Sequence, residues 1–140
     1  MFEASQWVWM DGEIVAWKDV SVHVSAHALH YGTGVFEGIR CCQTAGGPAL
    51  FRLDAHLECF YASAAVYGMS IPFPRNELAD GICELIRRHG FTSYYARPIC
   101  YRGSETLGLL PDKCPIHVSA FWCSRVAAIL GMRHWRPECT

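Results

Sequence analysis

Two helix-type patterns follow one another directly in the middle of the chain, and strand-type patterns lie on both sides of them. Residues 55–67 repeat apolar side chains at helical spacing, with Asp54 as the expected N-cap and Gly68 as the stop. Residues 76–90 repeat this pattern after a proline break, with basic residues in the last turn before Gly90. Consecutive helices between strands predict an α+β domain, a mostly antiparallel sheet with two helices on one face. The expected core residues of the helices are Leu57, Phe60, Tyr61, Ala64, Ala65, Leu78, Ile82, Leu85 and Ile86.

The strand-type segments carry their own turn signals. Large apolar and polar residues alternate in residues 6–19 around Asp11-Gly12, a dipeptide typical of a type I′ turn, which predicts a β-hairpin. Residues 34–44 and 46–53 predict a second hairpin joined by a glycine-rich turn. Residues 92–103 and 114–122 predict two further strands, in which Pro98 and Pro115 are expected to mark sheet edges or strand starts.

The composition limits the class of protein. At 140 residues the chain has the length of one domain, and a net charge of −1 gives no basic excess for nucleic acid. Residues 1–15 lack the apolar segment of a signal peptide, and no apolar run reaches the roughly 18 residues of a membrane span. We therefore expect a cytoplasmic protein that binds neither nucleic acid nor membrane. Eight cysteines without a CxxC pair favour free thiols over a disulfide scaffold or a zinc site.

A group of histidines and glycines near residue 30 permits two functional interpretations. His23, His27 and His30 have the i, i+4, i+7 spacing that would place three imidazoles on one side of a helix as metal ligands. The segment begins with strand-like alternation, however, so structural histidines are the better interpretation. Backbone geometry likewise explains the neighbouring glycines better than phosphate binding, because neither common glycine-rich motif is present around Gly32, Gly34 and Gly38.

Two segments, residues 31–40 and 94–98, combine groups suited to an amino acid site. Together they supply two phenol hydroxyls, two guanidiniums and an apolar ring, which can bind a carboxylate beside an apolar wall. The alternative is that the arginines form surface ion pairs and the tyrosines are core residues. The residues concerned are Tyr31, Phe36, Arg40, Tyr95 and Arg97.

The same segments carry a resemblance to a known family. From about Trp7 to Trp122 the chain is similar to branched-chain amino acid aminotransferases, pyridoxal 5′-phosphate enzymes of the fold-type IV group. The matching stretches include WMDGEIVAWKDVSVHVSAHALHYGTGVFEGIR, LFRLDAHLECFYASA, TSYYARP and RGSETLGLLPDKCPIHV. The resemblance implies amino transfer between leucine, isoleucine or valine and 2-oxoglutarate, in branched-chain amino acid biosynthesis. The alternatives are another fold-type IV enzyme, a D-amino acid aminotransferase or aminodeoxychorismate lyase, and a small binding module without catalysis.

The resemblance also implies roles for single residues. Phe36 would line the pocket for the aliphatic side chain, with Arg40 helping to organise it. Tyr95 would bind the substrate α-carboxylate, and Arg97 would bind the side-chain carboxylate of glutamate or 2-oxoglutarate. Because family members build each site across a homodimer interface, Tyr31 and Leu109 would reach into the neighbouring subunit's pocket.

Three departures from the family pattern concern the cofactor and the catalytic lysine. Cys59 stands where the family has a phosphate-binding arginine, and a thiol supplies neither the charge nor the paired donors of a guanidinium. The only lysines, Lys18 and Lys113, do not stand at the position of the Schiff-base lysine. After Trp122 the resemblance ends. These departures imply that residues 1–122 are an N-terminal domain, that residues 123–140 are an out-of-frame tail, and that the catalytic C-terminal domain is absent. We therefore expect a truncated fragment, with no catalytic residue of its own, that does not turn over alone.

Overall fold

Seven strands form one sheet in the computed structural model of the chain, which describes residues 6–90, 94–105 and 108–123. The strand order is β2-β1-β7-β6-β4-β5, with β3 also paired to β6, and every pairing is antiparallel. Three α-helices are present in the described ranges, α1, α2 and α3. The strands are β1 (Trp7–Met10), β2 (Glu13–Ala16), β3 (Gly34–Phe36), β4 (Ile39–Thr44), β5 (Gly47–Leu50), β6 (Tyr94–Arg102) and β7 (Ile116–Cys123), and the helices are α1 (His27–Tyr31), α2 (Leu53–Val66) and α3 (Arg75–His89).

The first hairpin forms as its turn dipeptide predicts. Met10 pairs with Glu13 across a two-residue loop, and both loop residues have positive φ, +48° at Asp11 and +97° at Gly12. These angles are the requirement of a type I′ turn, which aspartate and glycine tolerate. The Asp11 carboxylate also accepts the backbone N–H of Val118 at 2.7 Å and contacts His117 Nδ1 at 2.7 Å. The turn is thereby fastened to β7.

The two helices pack on one face of the sheet, and the predicted α+β class is confirmed. Side chains alternate along each strand, so one set faces the helices and the other set faces away. In β6 the residues facing the helices are Ala96, Pro98 and Cys100, all buried. The core between sheet and helices contains Trp9, Ile39, Leu57, Phe60, Ala64, Leu78, Ile82, Leu85, Val118 and Ala120.

The ends of the helices follow the sequence prediction except at the start of α2. Gly68 and Gly90 lie just past α2 and α3 with φ of +63°, as the predicted stops require. The prediction that Asp54 caps α2 is wrong, because the N-cap is Arg52, with φ of +48° and no side-chain cap hydrogen bond. Asp54 lies in the first turn instead, where its carboxylate faces the positive end of the helix dipole. Ala65, expected in the core, is exposed.

Pro98 does not lie at a sheet edge, which corrects a second prediction. It sits in the middle of β6, which has β7 on one side and β3 and β4 on the other. The register pairs Phe36 with Ile99 and Ile39 with Ala96, so Glu37 lies opposite Pro98. Glu37 N donates to Pro98 O at 3.1 Å, and the reciprocal bond cannot form because proline has no N–H. The missing bond falls at the gap between β3 and β4.

The structure tests the expectations about the cysteines and about a membrane span. Cys41, Cys59, Cys83, Cys100 and Cys114 are free thiols, as predicted. Cys42 is disulfide-bonded, so the prediction is wrong there. No helix in the described ranges combines the length and apolar character that crossing a bilayer requires. The predicted tail, residues 123–140, lies outside the described residues except for the backbone of Cys123.

Candidate functional site

The site is built on the sheet face that points away from α2 and α3, here called the outer face and defined by Phe36, Gly38, Arg40, Tyr95 and Arg97. Arg40 alternates with the buried Ile39 and Cys41, and Tyr95 and Arg97 flank the buried Ala96. The register places Arg40 directly across from Tyr95 and Gly38 across from Arg97. Segments 36–40 and 95–97, nearly sixty residues apart in sequence, therefore share one surface.

The guanidinium of Arg97 is held between two aromatic rings. Its Cζ lies 4.6 Å from the ring centroid of Phe36 and 5.3 Å from that of Tyr95. Its Nη2 donates to the Tyr95 hydroxyl at 3.4 Å. Within the described ranges Arg97 makes no ion pair, and its buried Nε–H has no acceptor. The result is a positioned cation that lacks an anionic partner in the described ranges, the kind of group that pairs with carboxylates.

Gly38 provides the space for the Tyr95 hydroxyl. A methyl group at position 38 would overlap the hydroxyl and Cζ of Tyr95 and would lie 2.7 Å from its Cε2. Gly38 is not among the glycines with positive φ, so backbone geometry, the role predicted from the sequence, does not explain it. Its role is steric, and no local signal in the sequence reveals which side chain crosses over it.

Glu37 connects the outer face to α2. Its Oε2 lies 3.0 Å from Nδ1 of His56, which is on the first half of the helix, and also accepts the N–H of Gly38. Cys59 follows His56 by three residues and therefore lies on the same side of α2. It is exposed and carries a free thiol. The family resemblance of the sequence singled out Cys59, but no sequence pattern indicated the Glu37–His56 pair.

The two remaining predicted residues form a separate group around His27. The ring of Tyr31 lies 4.5 Å from that of His27, and His27 Nε2 lies 3.3 Å from the carbonyl oxygen of Leu109. Tyr31 is 46% exposed and Leu109 is 76% exposed, so both side chains are available to a further surface. Of the six predicted binding residues, the outer face gathers Phe36, Arg40, Tyr95 and Arg97, whereas Tyr31 and Leu109 lie beside His27.

The three histidines considered as metal ligands have other partners. His27 is buried and its Nδ1 lies 2.8 Å from Thr33 Oγ1. His23 contacts Ser25 Oγ at 2.7 Å, and Nε2 of His30 lies 3.0 Å from the carbonyl oxygen of Val24. Strand-like alternation did not produce a strand here, since a short helix, α1, begins at His27. In the described part of the chain no group of three potential ligands is close enough to hold a metal ion.

The lysines do not join the outer face, and the described residues do not fit pyridoxal 5′-phosphate. Lys18 lies in an exposed 3₁₀ turn, Trp17–Asp19, and Lys113 in another, Pro111–Lys113. Neither turn belongs to the strands that carry the site. Cys59 offers a thiol rather than a guanidinium to a phosphate. The outer face therefore offers cations and a phenol, groups suited to a carboxylate, but no lysine for the cofactor.

An apolar cavity of about 530 Å³ lies further along the same side of β6. It begins at Ile99, the next outward-facing residue after Arg97, and includes Tyr101 and Ser119. Its other walls come mainly from the segment that precedes β3, with Val20, Val22, Ala28 and Leu29. The lining contains no ionisable side chain except the Tyr101 phenol, whose burial raises its pKa. The charged side chains on this side of β6 therefore lie at the Arg97 end and not in the cavity.

Comparison with known proteins places this geometry among aminotransferases. The family model of class IV amino-transferases matches residues 34–130. The branched-chain-amino-acid aminotransferases of Pseudomonas aeruginosa and Escherichia coli (strain K12) are 42% and 40% identical to the chain over 79% and 76% of its length. These matches cover only 36% and 35% of the two relatives, so the chain spans little more than a third of their length.

Solved structures give the same picture. The branched-chain amino acid aminotransferase of T.th. with pyridoxamine 5′-phosphate has a TM-score of 0.83 and 44% identity, covering 87% of this chain and 41% of that one. The same T.th. protein is also known in complex with 4-methylvaleric acid, at a TM-score of 0.81, and with N-(5′-phosphopyridoxyl)-L-glutamate, at 0.83. Each of these two complexes is 44% identical and covers 87% of this chain, with 41% and 42% of the other chain.

Proposed function

The chain belongs to the class IV aminotransferase family, and from this premise we propose that it carries the substrate-binding side of a branched-chain amino acid aminotransferase. The reaction is reversible amino transfer between leucine, isoleucine or valine and 2-oxoglutarate. The observation that carries the proposal is the Arg97 guanidinium, held between Phe36 and Tyr95 with its Nε–H free.

The two kinds of substrate place opposite demands on one pocket. A branched aliphatic side chain requires an apolar wall, whereas the side chain of glutamate requires a cation. Phe36 is 59% exposed, and its ring contacts the Arg97 guanidinium. The outer face therefore offers an apolar surface and a cation within a few ångströms of each other. The two acids bound by the T.th. relative, one aliphatic and one a glutamate derivative, match these two demands.

We assign the binding roles as follows. The Tyr95 hydroxyl receives the substrate α-carboxylate, and Arg97 receives the side-chain carboxylate of glutamate or 2-oxoglutarate. Phe36 forms the apolar wall, and Arg40, directly across from Tyr95, organises the pocket around the hydroxyl.

Tyr31 and Leu109 serve the substrate pocket of a neighbouring subunit and not the pocket of their own chain. Both are exposed beside His27. They contact the pocket of a neighbouring subunit in a cytoplasmic homodimer. A dimer interface would bury the two apolar side chains that the described chain leaves in solvent.

The cofactor of this reaction, pyridoxal 5′-phosphate, is not anchored by the described residues. The reaction requires a lysine that holds the cofactor and moves the substrate proton, and neither Lys18 nor Lys113 lies in the site strands. A polypeptide of these 140 residues therefore binds substrate carboxylates but does not transaminate. By the family resemblance, the lysine and most phosphate contacts would lie in the part of the relatives that this chain does not match.

A chimera tests the proposal. Residues 6–123 replace the corresponding segment of the T.th. enzyme, either with Cys59 or with Cys59→Arg. We expect the Cys59→Arg chimera to bind pyridoxal 5′-phosphate, followed by absorbance, and to transaminate leucine, isoleucine and valine with 2-oxoglutarate. The chimera that keeps Cys59 should need a higher cofactor concentration, because it lacks one guanidinium–phosphate contact.

Two results would contradict the proposal. A folded, cofactor-loaded chimera that acts on D-alanine but not on leucine would indicate a D-amino acid aminotransferase, and release of 4-aminobenzoate from aminodeoxychorismate would indicate the lyase. The matched control is the same chimera with Arg97→Ala, which should lose 2-oxoglutarate as amino acceptor while it still binds the cofactor.

A further inference from the structure

The Tyr95 hydroxyl lies in a position that only glycine at residue 38 permits. Gly38 is on the outer face between Phe36 and Arg40, directly across from Arg97. Any Cβ there would overlap the Tyr95 hydroxyl and Cζ. The tyrosine ring therefore extends from β6 over the backbone at Gly38, between β3 and β4, and fills the space that a side chain would occupy.

We propose that Gly38 is a positioning residue of the carboxylate site, because it seats the Tyr95 phenol against the sheet and so fixes both Tyr95 and Arg97 for a dicarboxylate. This inference rests on the proposed function for its ligand, but its geometric part stands on the described contacts alone. With the phenol seated, the hydroxyl accepts from Arg97 Nη2 at 3.4 Å and the guanidinium lies over both rings.

A side chain at position 38 would break this arrangement without damaging the core. The overlapping atoms belong to the far end of the Tyr95 side chain, which can rotate away from the sheet. The core residues Ile39 and Ala96 face the opposite side and would not be touched. The displaced phenol would leave Arg97 with one aromatic neighbour and without its hydroxyl acceptor. The expected consequence is a loss of dicarboxylate binding in a folded protein.

The test uses the full 140-residue chain with Gly38→Ala, and Gly46→Ala as the control. Gly46 suits this purpose because its nearest neighbour, Thr44 Oγ1, is 3.8 Å away from a Cβ position and its φ is not positive. NMR follows the Tyr95 ring and Arg97 Nε–H signals, and glutarate is the titrant. Gly38→Ala should shift both signals and weaken glutarate binding by about tenfold, the effect of one charge-assisted hydrogen bond, whereas Gly46→Ala should change neither.

Unchanged Tyr95 and Arg97 signals in folded Gly38→Ala would overturn the inference. If Gly38→Ala unfolds, the Tyr95→Ala background decides: removal of the ring should make Gly38→Ala harmless to stability, and an equal loss in both backgrounds would refute the seating. If the unmodified chain binds no glutarate, the proposed function fails on its acidic substrate. The signal shifts still decide the role of Gly38, so the two failures are distinguishable.

Discussion

Replacing Phe36 with leucine should separate the two demands that the substrates make on the pocket. Leucine keeps an apolar wall but removes the ring that lies 4.6 Å from the Arg97 guanidinium. A cation–π contact contributes about 0.5–1 kcal/mol when exposed and about 2 kcal/mol when desolvated. Phe36 is 59% exposed and Arg97 is half-buried, so we take about 1 kcal/mol. That value corresponds to a loss of about fivefold in affinity for a ligand that needs Arg97 in place.

The assay is an NMR titration of Phe36→Leu with glutarate and, separately, with 4-methylvalerate. Glutarate affinity should fall by about fivefold, and 4-methylvalerate affinity should stay within about twofold because leucine preserves the apolar contact. The matched control is Phe51→Leu, an exposed phenylalanine at the end of the second hairpin with no ring contact to Arg97. An equal loss of both ligands in Phe36→Leu would refute the reasoning, since Phe36 would then act only as an apolar wall.

Three further predictions concern other parts of the chain. Asp11→Ala should lower the free energy of unfolding, measured in urea, by about 2 kcal/mol, because the carboxylate that accepts the Val118 N–H is lost. Asp11→Asn tolerates positive φ and keeps an acceptor, so it should cost less than half of that. Equal losses in the two variants would contradict the role of the Asp11–Val118 hydrogen bond. Burial raises the pKa of the Cys100 thiol from 9.0 to about 11, so the folded state holds the neutral thiol and stability should fall as pH rises through this interval. The total loss should be on the order of 3 kcal/mol, and the fall should be shallower in Cys100→Ala. Iodoacetamide should alkylate exposed Cys59 in the folded chain and buried Cys100 only after unfolding, by peptide mass spectrometry; equal rates would contradict the burial.

The sequence predicts the elements of this fold well where one local rule decides them. Asp11-Gly12 fixes a hairpin because few residues tolerate the positive φ that its turn needs. The helical spacing of Leu78, Ile82 and Leu85 identifies the buried side of α3 because only one face meets the sheet. Local rules fail where the backbone has an alternative. The start of α2 is one such place, because Arg52 adopts a left-handed conformation that no cap signal announces.

The site was predictable as a set of residues but not as an arrangement. Phe36 and Arg97 are 61 positions apart, and their contact depends on the register between β3 and β6. A shift of one residue would turn Arg97 into the core. The sequence encodes that register only through the alternation of buried and exposed residues along whole strands. Residue types therefore indicate a carboxylate site, whereas the ring–guanidinium contact and the seat under Tyr95 require the assembled sheet.

Two interruptions of the regular sheet, Pro98 and Gly38, lie close together at the site. Proline removes one ladder bond opposite Glu37, and glycine removes one side chain opposite Arg97. A residue with an N–H at position 98 would close the ladder. A side chain at position 38 would place a Cβ where the Tyr95 hydroxyl lies. The Glu37 carboxylate contacts His56 of α2, and the Tyr95 phenol occupies the space over Gly38. The sheet accepts a proline in a central strand because only one of the two bonds of this pair is lost. The missing side chain at Gly38 supplies the room for the Tyr95 ring beside Arg97.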